Sequence, residues 1–137
     1  MASITPEDEE RFGTRYRTSG SSALIDAEME VLGSDYQANG YTTRAQAQEL
    51  ADVLRLESGH RLLDIGAGCG WPGLYLATLR GCAVVGIDPV TEGVAAAVER
   101  ARRDGLTDRY VAARGSGAAL PFGPRSFDAV VHSDVTC

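Results

Sequence analysis

Residues 61–73, Arg-Leu-Leu-Asp-Ile-Gly-Ala-Gly-Cys-Gly-Trp-Pro-Gly, carry the densest chemical signal in the chain. An apolar run closes on an acid, Asp64, and then breaks into glycines at 66, 68 and 70. Glycine has no Cβ, so it allows positive φ and lets backbone approach a ligand closely. Pro72 follows at a position suited to the first turn of a helix, where a missing N–H costs nothing. A helix start there offers unpaired N–H groups and a partial positive end to an anion. The pattern is that of a nucleotide-type loop between a strand and a helix. A second acid, Asp88, closes the next apolar run, Ala83-Val84-Val85-Gly86-Ile87. A carboxylate at that strand end can accept two hydrogen bonds from a ribose diol.

Two fingerprints compete for the loop. Gly68, Gly70 and Gly73 satisfy the dinucleotide-binding G-x-G-x-x-G, which is weak by itself. Taken from the strand, the spacing Asp64-x-Gly66-x-Gly68-x-Gly70 resembles the first motif of class I S-adenosylmethionine (SAM) dependent methyltransferases. Leu120-Pro121-Phe122, followed by Ser126-Phe127-Asp128-Ala129-Val130-Val131, resembles the stretch between the third and fourth strands of that family. Asp64 and these later stretches have no place in the nicotinamide dinucleotide fingerprint, which makes that cofactor the less favoured alternative.

The resemblance implies SAM as cofactor and transfer of its methyl group to an unidentified small-molecule acceptor. It implies that Asp64 holds the methionine end of SAM, directly or through water. Gly66, Ala67, Gly68 and Gly70 would be the closest backbone approach, and Asp88 with Pro89 would hold the ribose. Family members carry an acid before the Leu-Pro-Phe element that accepts from the adenine amino group. Ser116 stands there instead, a weaker acceptor, with the backbone of Gly117 and Ala118 beside it. Tyr41, Thr42 and Thr43 precede a helix that in this family closes over the methionine part. His132, Ser133 and Asp134 lie just past the fourth strand, and His132 is the weak catalytic candidate, a neutral-pH base near the transferred methyl group. Cys/His ligand spacing for a metal is absent, and none is expected.

The elements that must position these residues alternate along the chain. Strands are predicted at 61–65, 83–87, about 109–113 and about 126–131, with helices at 72–80 and from Thr91 to Gly105. Apolar strands separated by helices imply a parallel sheet in an α/β fold. The expected architecture is a Rossmann-like, doubly wound sheet of order 3-2-1-4, incomplete against the family's seven strands. Residues 1–57 are expected to form an N-terminal helical cap over the cofactor site, and residues 58–137 the truncated SAM-binding domain. Within the cap, helices are predicted at 22–32 and after Thr43, where Gln46 completes a capping-box pattern and Gly59 marks the stop. The first dozen residues, polar and acidic, are expected to be loosely held.

With 137 residues the chain has room for one ordinary domain. Its net charge is −6 and all 13 basic residues are arginine, scattered rather than clustered, so nucleic acid is not an expected partner. An acidic N-terminus and the lack of a long apolar run argue against a signal peptide or membrane span. Cys69, Cys82 and Cys137 suit neither a disulfide framework nor a zinc site, and a reducing cytoplasm fits best. The sequence stops just past strand four, so it reads as a fragment, a frameshifted product or a short member. The alternative to an active enzyme is a catalytically silent SAM-binding remnant. Strand four would be a bare sheet edge, open to pairing with a second copy.

Overall fold

The structure, a computed structural model, describes residues 4–133. Five helices and four strands follow in the order α1 (Pro6–Thr18), α2 (Ser22–Leu32), α3 (Arg44–Val53), β1 (Arg61–Ile65), α4 (Gly73–Arg80), β2 (Ala83–Asp88), α5 (Thr91–Arg103), β3 (Tyr110–Arg114), β4 (Ala129–His132). The strands form one parallel sheet of order β3-β2-β1-β4, as the alternation of apolar runs and helical stripes requires. Parallel neighbours need crossovers, and α4 and α5 are those crossovers.

Register sorts the side chains of the sheet into two faces. Val131, Asp64, Gly86 and Ala112 align in one row, with Ala129, Leu62, Val84 and Tyr110 in the next on the same face. That face packs under α3, α4 and α5 through Ala51, Leu74, Ala77, Ala97 and Ala101, all buried. The opposite face carries Leu63, Ile65 and Ile87, covered by Phe122 and Phe127 of the connection before β4. At the ends of its row Val111 and Val130 remain 56% and 49% exposed.

Several expectations need correction. Within the first dozen residues, expected to be loosely held, the stretch from Pro6 onward is helical, because α1 begins there. Thr5 caps it by accepting from the Asp8 N–H at 3.1 Å, with Pro6 and three acids in the first turn. Pro72 is the N-cap of α4 and not its first helical residue. Thr91 opens α5 without capping it, and Val98, placed on the inward stripe, is 48% exposed. Gly59 turns the chain before β1, well after α3 has stopped at Val53, where the Ala47 and Ala51 stripe has run its length. β4 is shorter than predicted, because residues 126–128 belong to the loop that carries Phe127 over the second face. The capping box at Thr43 is present with both arms, and Gly81 ends α4 in the left-handed conformation.

Candidate functional site

The glycine loop, Asp88 and residues 116–118 lie at the carboxyl edge of the sheet, because every strand runs the same way. The glycine loop after β1 is tied down by the Gly66 and Ala67 N–H groups, both donating to the Ile87 carbonyl at 2.8 and 3.0 Å. Gly70 has φ +103°, and a Cβ there would lie 2.3 Å from Leu74, so this bend needs glycine. Trp71 packs at the start of α4, stacked on Tyr75 at 5.5 Å and beside Tyr36 at 5.2 Å, and its Nε1 donates to the Thr42 carbonyl.

Asp64 lies fully enclosed beneath this loop. Its Oδ2 accepts from the Gly73 N–H at 3.1 Å, while Oδ1 has no partner among the described residues. The carboxyl rests against the bare α-carbon of Gly73, where a Cβ would approach Oδ2 to 2.6 Å. Burial pushes its pKa up to about 8, against the opposing pull of the Gly73 N–H. The first amide of α4 therefore points inward to the protein's own acid. An anion at the helix start, as in dinucleotide sites, would have to displace that contact.

Asp88 ends β2 and as a residue is only 4% exposed. Oδ2 accepts from Gly68 N–H at 2.8 Å and Oδ1 from Val90 N–H at 2.9 Å. Burial raises its pKa, and those two N–H groups oppose the rise. A carboxylate offers about four acceptor directions, so two remain for a diol. The donor set fits a nucleoside cofactor: a spare acidic acceptor, a glycine loop, and a first α4 amide already taken by Asp64.

Ser116, Gly117 and Ala118 stand at the end of β3 beside Asp88, since the Gly115 N–H donates to the Asp88 carbonyl at 3.0 Å. The Ser116 hydroxyl accepts from the Ala118 N–H at 3.2 Å and closes its own turn. His132 sits beside Ile65 in the register and is exposed. It lines an open groove of about 640 Å³ between α3 and β4, together with Tyr41, Thr42, Leu50, Val53 and Val130. Thr42 and Ser133 hydrogen-bond each other across the base of this groove. Tyr41 and His132 thus share the groove and not the space over the glycines, and Thr43 is occupied with its capping box. Asp134 lies outside the described residues.

Sequence reasoning missed the aromatic wall over the glycine loop. Phe12 and Tyr16 of α1, with residues 37–40, close a cavity of about 80 Å³ above Gly66, Ala67 and Gly68. Residues 11–22 show no apolar period, which hid these side chains. The signal available was the start at Thr5-Pro6 with acids following, a strong helix N-terminus. Among the described residues no group of His, Cys, Asp or Glu could hold a metal ion, and no helix is long and apolar enough to cross a membrane.

Fold and loop together define a Rossmann-like parallel α/β cofactor domain, with α3, α4 and α5 on one face of the sheet and its site at the strand carboxyl edge. A family described as "Methyltransferase domain" matches residues 62–137. Among curated relatives, the 24-methylenesterol C-methyltransferase 2 of Oryza sativa subsp. japonica is 37% identical over 95 residues, which is 69% of this chain and 26% of that protein. The erythromycin 3''-O-methyltransferase of Saccharopolyspora erythraea is 36% identical over 61% of this chain and 28% of its own. A SAM-dependent methyltransferase from Thiobacillus denitrificans, solved with S-adenosylhomocysteine, superposes with TM-score 0.59 at 28% identity, covering 66% of this chain and 36% of that one. The chain belongs to the class I SAM-dependent methyltransferase family. It spans about a quarter of the length of the curated relatives it matches.

Proposed function

We propose that the chain binds SAM and forms the cofactor-binding half of a methyltransferase acting on a small organic molecule. The inward-turned Gly73 N–H carries this reading: the Asp64 carboxyl takes the amide that an anion at the start of α4 would use, which suits a nucleoside ligand without phosphate better than a dinucleotide. When bound, SAM supplies a methyl carbon made electrophilic by its positively charged sulfur. The chain's part is to hold and orient. Asp88 offers its spare acceptor directions to the ribose hydroxyls, and the loop 66–70 lets backbone come close. Gly117 and Ala118 offer backbone beside the adenine position, with Ser116 as a weak acceptor. Alignment of acceptor and methyl group can lower a barrier by about 7–11 kcal/mol without a metal. His132, exposed in the groove beside Tyr41, is the weak candidate base.

Relatives named as a 24-methylenesterol C-methyltransferase and an erythromycin 3''-O-methyltransferase support a small-molecule acceptor, and the acidic net charge supports the same choice over nucleic acid. The test is titration of S-adenosylhomocysteine into wild type and Asp88→Asn. Charged-acceptor hydrogen bonds are worth about 1.5–3 kcal/mol, so the variant should bind roughly 10- to 150-fold more weakly. Equal affinity would confine Asp88 to its contacts with Gly68 and Val90.

A further inference from the structure

Asp64 Oδ1 and the Tyr110 hydroxyl are both buried, and neither has a hydrogen-bond partner among the described residues. Both side chains project from the same face of the sheet, Asp64 from β1 and Tyr110 from the start of β3, with β2 between them. The residue that β2 places beside Asp64 is Gly86, its register partner. A Cβ on Gly86 would lie 2.6 Å from the Tyr110 hydroxyl and 3.0 Å from the Ala67 Cβ. The tip of the phenol ring thus takes the place of a side chain there, beneath the glycine loop. A Cβ on Gly73 would lie 2.6 Å from Asp64 Oδ2 and 3.3 Å from Tyr110 Cε2, so carboxyl and ring edge meet under the first residue of α4. Two bare α-carbons leave the space in which the pair faces each other.

The two groups are chemically complementary. A hydroxyl both donates and accepts, and a carboxyl oxygen accepts when ionised and donates when protonated. Asp64 Oδ2 is taken as acceptor by the Gly73 N–H, so the proton of the neutral acid belongs on Oδ1. Burial, and then the nearness of Asp64, Asp88 and Cys69, raises the Tyr110 pKa, so its oxygen keeps its proton and can serve either way. Asp88 from β2 and Cys69 from the glycine loop are the other titratable groups facing the pair. From β4, α4 and α5 come Val131, Leu74 and Ala97, which join Tyr110 in one apolar cluster. Polar groups left unpaired in such surroundings are costly, and here each lacks what the other offers.

We propose that Tyr110 is a positioning residue for the cofactor loop, acting through Asp64: its hydroxyl pairs with Oδ1 across Gly86 and so keeps Oδ2 on the Gly73 amide. The hydroxyl accepts from the protonated acid and donates to the ionised one, so the carboxyl holds its orientation toward Gly73 in either state. Tyr110→Phe removes only that oxygen. Oδ1 is then left without a partner, and the carboxyl can find one only by giving up the amide that joins β1 to α4. The inference rests on the SAM-site reading above for its ligand, and on the buried pair for everything else.

The experiment is carbon NMR of the full chain against pH, in wild type and Tyr110→Phe, with S-adenosylhomocysteine titrated into both at neutral pH. The Asp64 carboxyl signal is assigned by its loss in Asp64→Asn. In wild type the Tyr110 Cζ signal should step at the Asp64 midpoint, at about pH 8. Hydrogen bonds to a charged acceptor outweigh neutral ones, so Tyr110→Phe should raise that midpoint by about half a pH unit or more. The variant should bind S-adenosylhomocysteine about threefold or more weakly, as residues in contact couple. A Tyr110 signal blind to the Asp64 titration, or one Asp64 midpoint shared by both proteins, would overturn the pairing. Equal affinity in the two proteins would overturn the positioning role even with the midpoint moved. If the midpoint moves and neither protein binds S-adenosylhomocysteine, the SAM reading fails and takes the positioning role with it, and the pair alone stands.

Discussion

Asp64 organises the loop by being buried beneath it, and its environment makes a prediction about pH. Its pKa is about 8 in the fold, against 3.8 for an ordinary aspartate, because burial disfavours the charge. Between those values the folded state holds a proton that the unfolded chain has lost. Stability from this group is complete below pH 3.8 and is lost as pH rises through about 8. Asp88, also raised by burial, acts in the same direction. Asp64→Asn should therefore flatten the decline of the urea midpoint between about pH 4 and 8. An unchanged slope in the variant would contradict the buried, protonated carboxyl. Asp64 and Asp88 were legible in the sequence as acids ending apolar runs. Their partners were not, because which amide a carboxyl meets depends on how the loop folds back: onto Gly73 for one, onto Gly68 and Val90 for the other.

At the scale of elements, local patterns located α2, the start of α3, α5 and the first two strands closely. Local signals sufficed there because each element carries its own stripe and stop. α1 escaped because it packs by ion pairs and two aromatic rings rather than by an apolar stripe. The segment between α2 and α3 was equally opaque. It is held by Glu28 accepting from the Ser34 hydroxyl and the Tyr36 and Ala38 N–H groups, and by Arg100 lying 4.2 Å over the Tyr36 ring. None of these contacts follows a helical or strand period that a local pattern would announce. Thr43 tests the value of a local signal. Its hydroxyl accepts from Gln46 N–H at 3.2 Å, and Gln46 returns the contact at 2.8 Å. Thr43→Ala should lower unfolding stability by about 1 kcal/mol. A denaturation midpoint equal to wild type would show the cap to be idle.

For the whole molecule, the sheet's two faces are unequally covered. Three helices shield the face of Leu62 and Val84, while the row Val111, Val85, Leu63 and Val130 lies across the other, with Phe122 and Phe127 over its centre. β4 pairs with β1 on one side, and its other side is an edge among the described residues. An apolar edge is a template for a second copy. Light scattering after size exclusion should show concentration-dependent association that Val130→Lys reduces; a monomer at every concentration would refute this. The most direct measurement of the central claim is thermal unfolding of the full chain with S-adenosylhomocysteine and, separately, with NAD. At about 100 times its dissociation constant, S-adenosylhomocysteine should add about 2.7 kcal/mol of stability, and NAD nothing. Stabilisation by NAD with none by S-adenosylhomocysteine would contradict it.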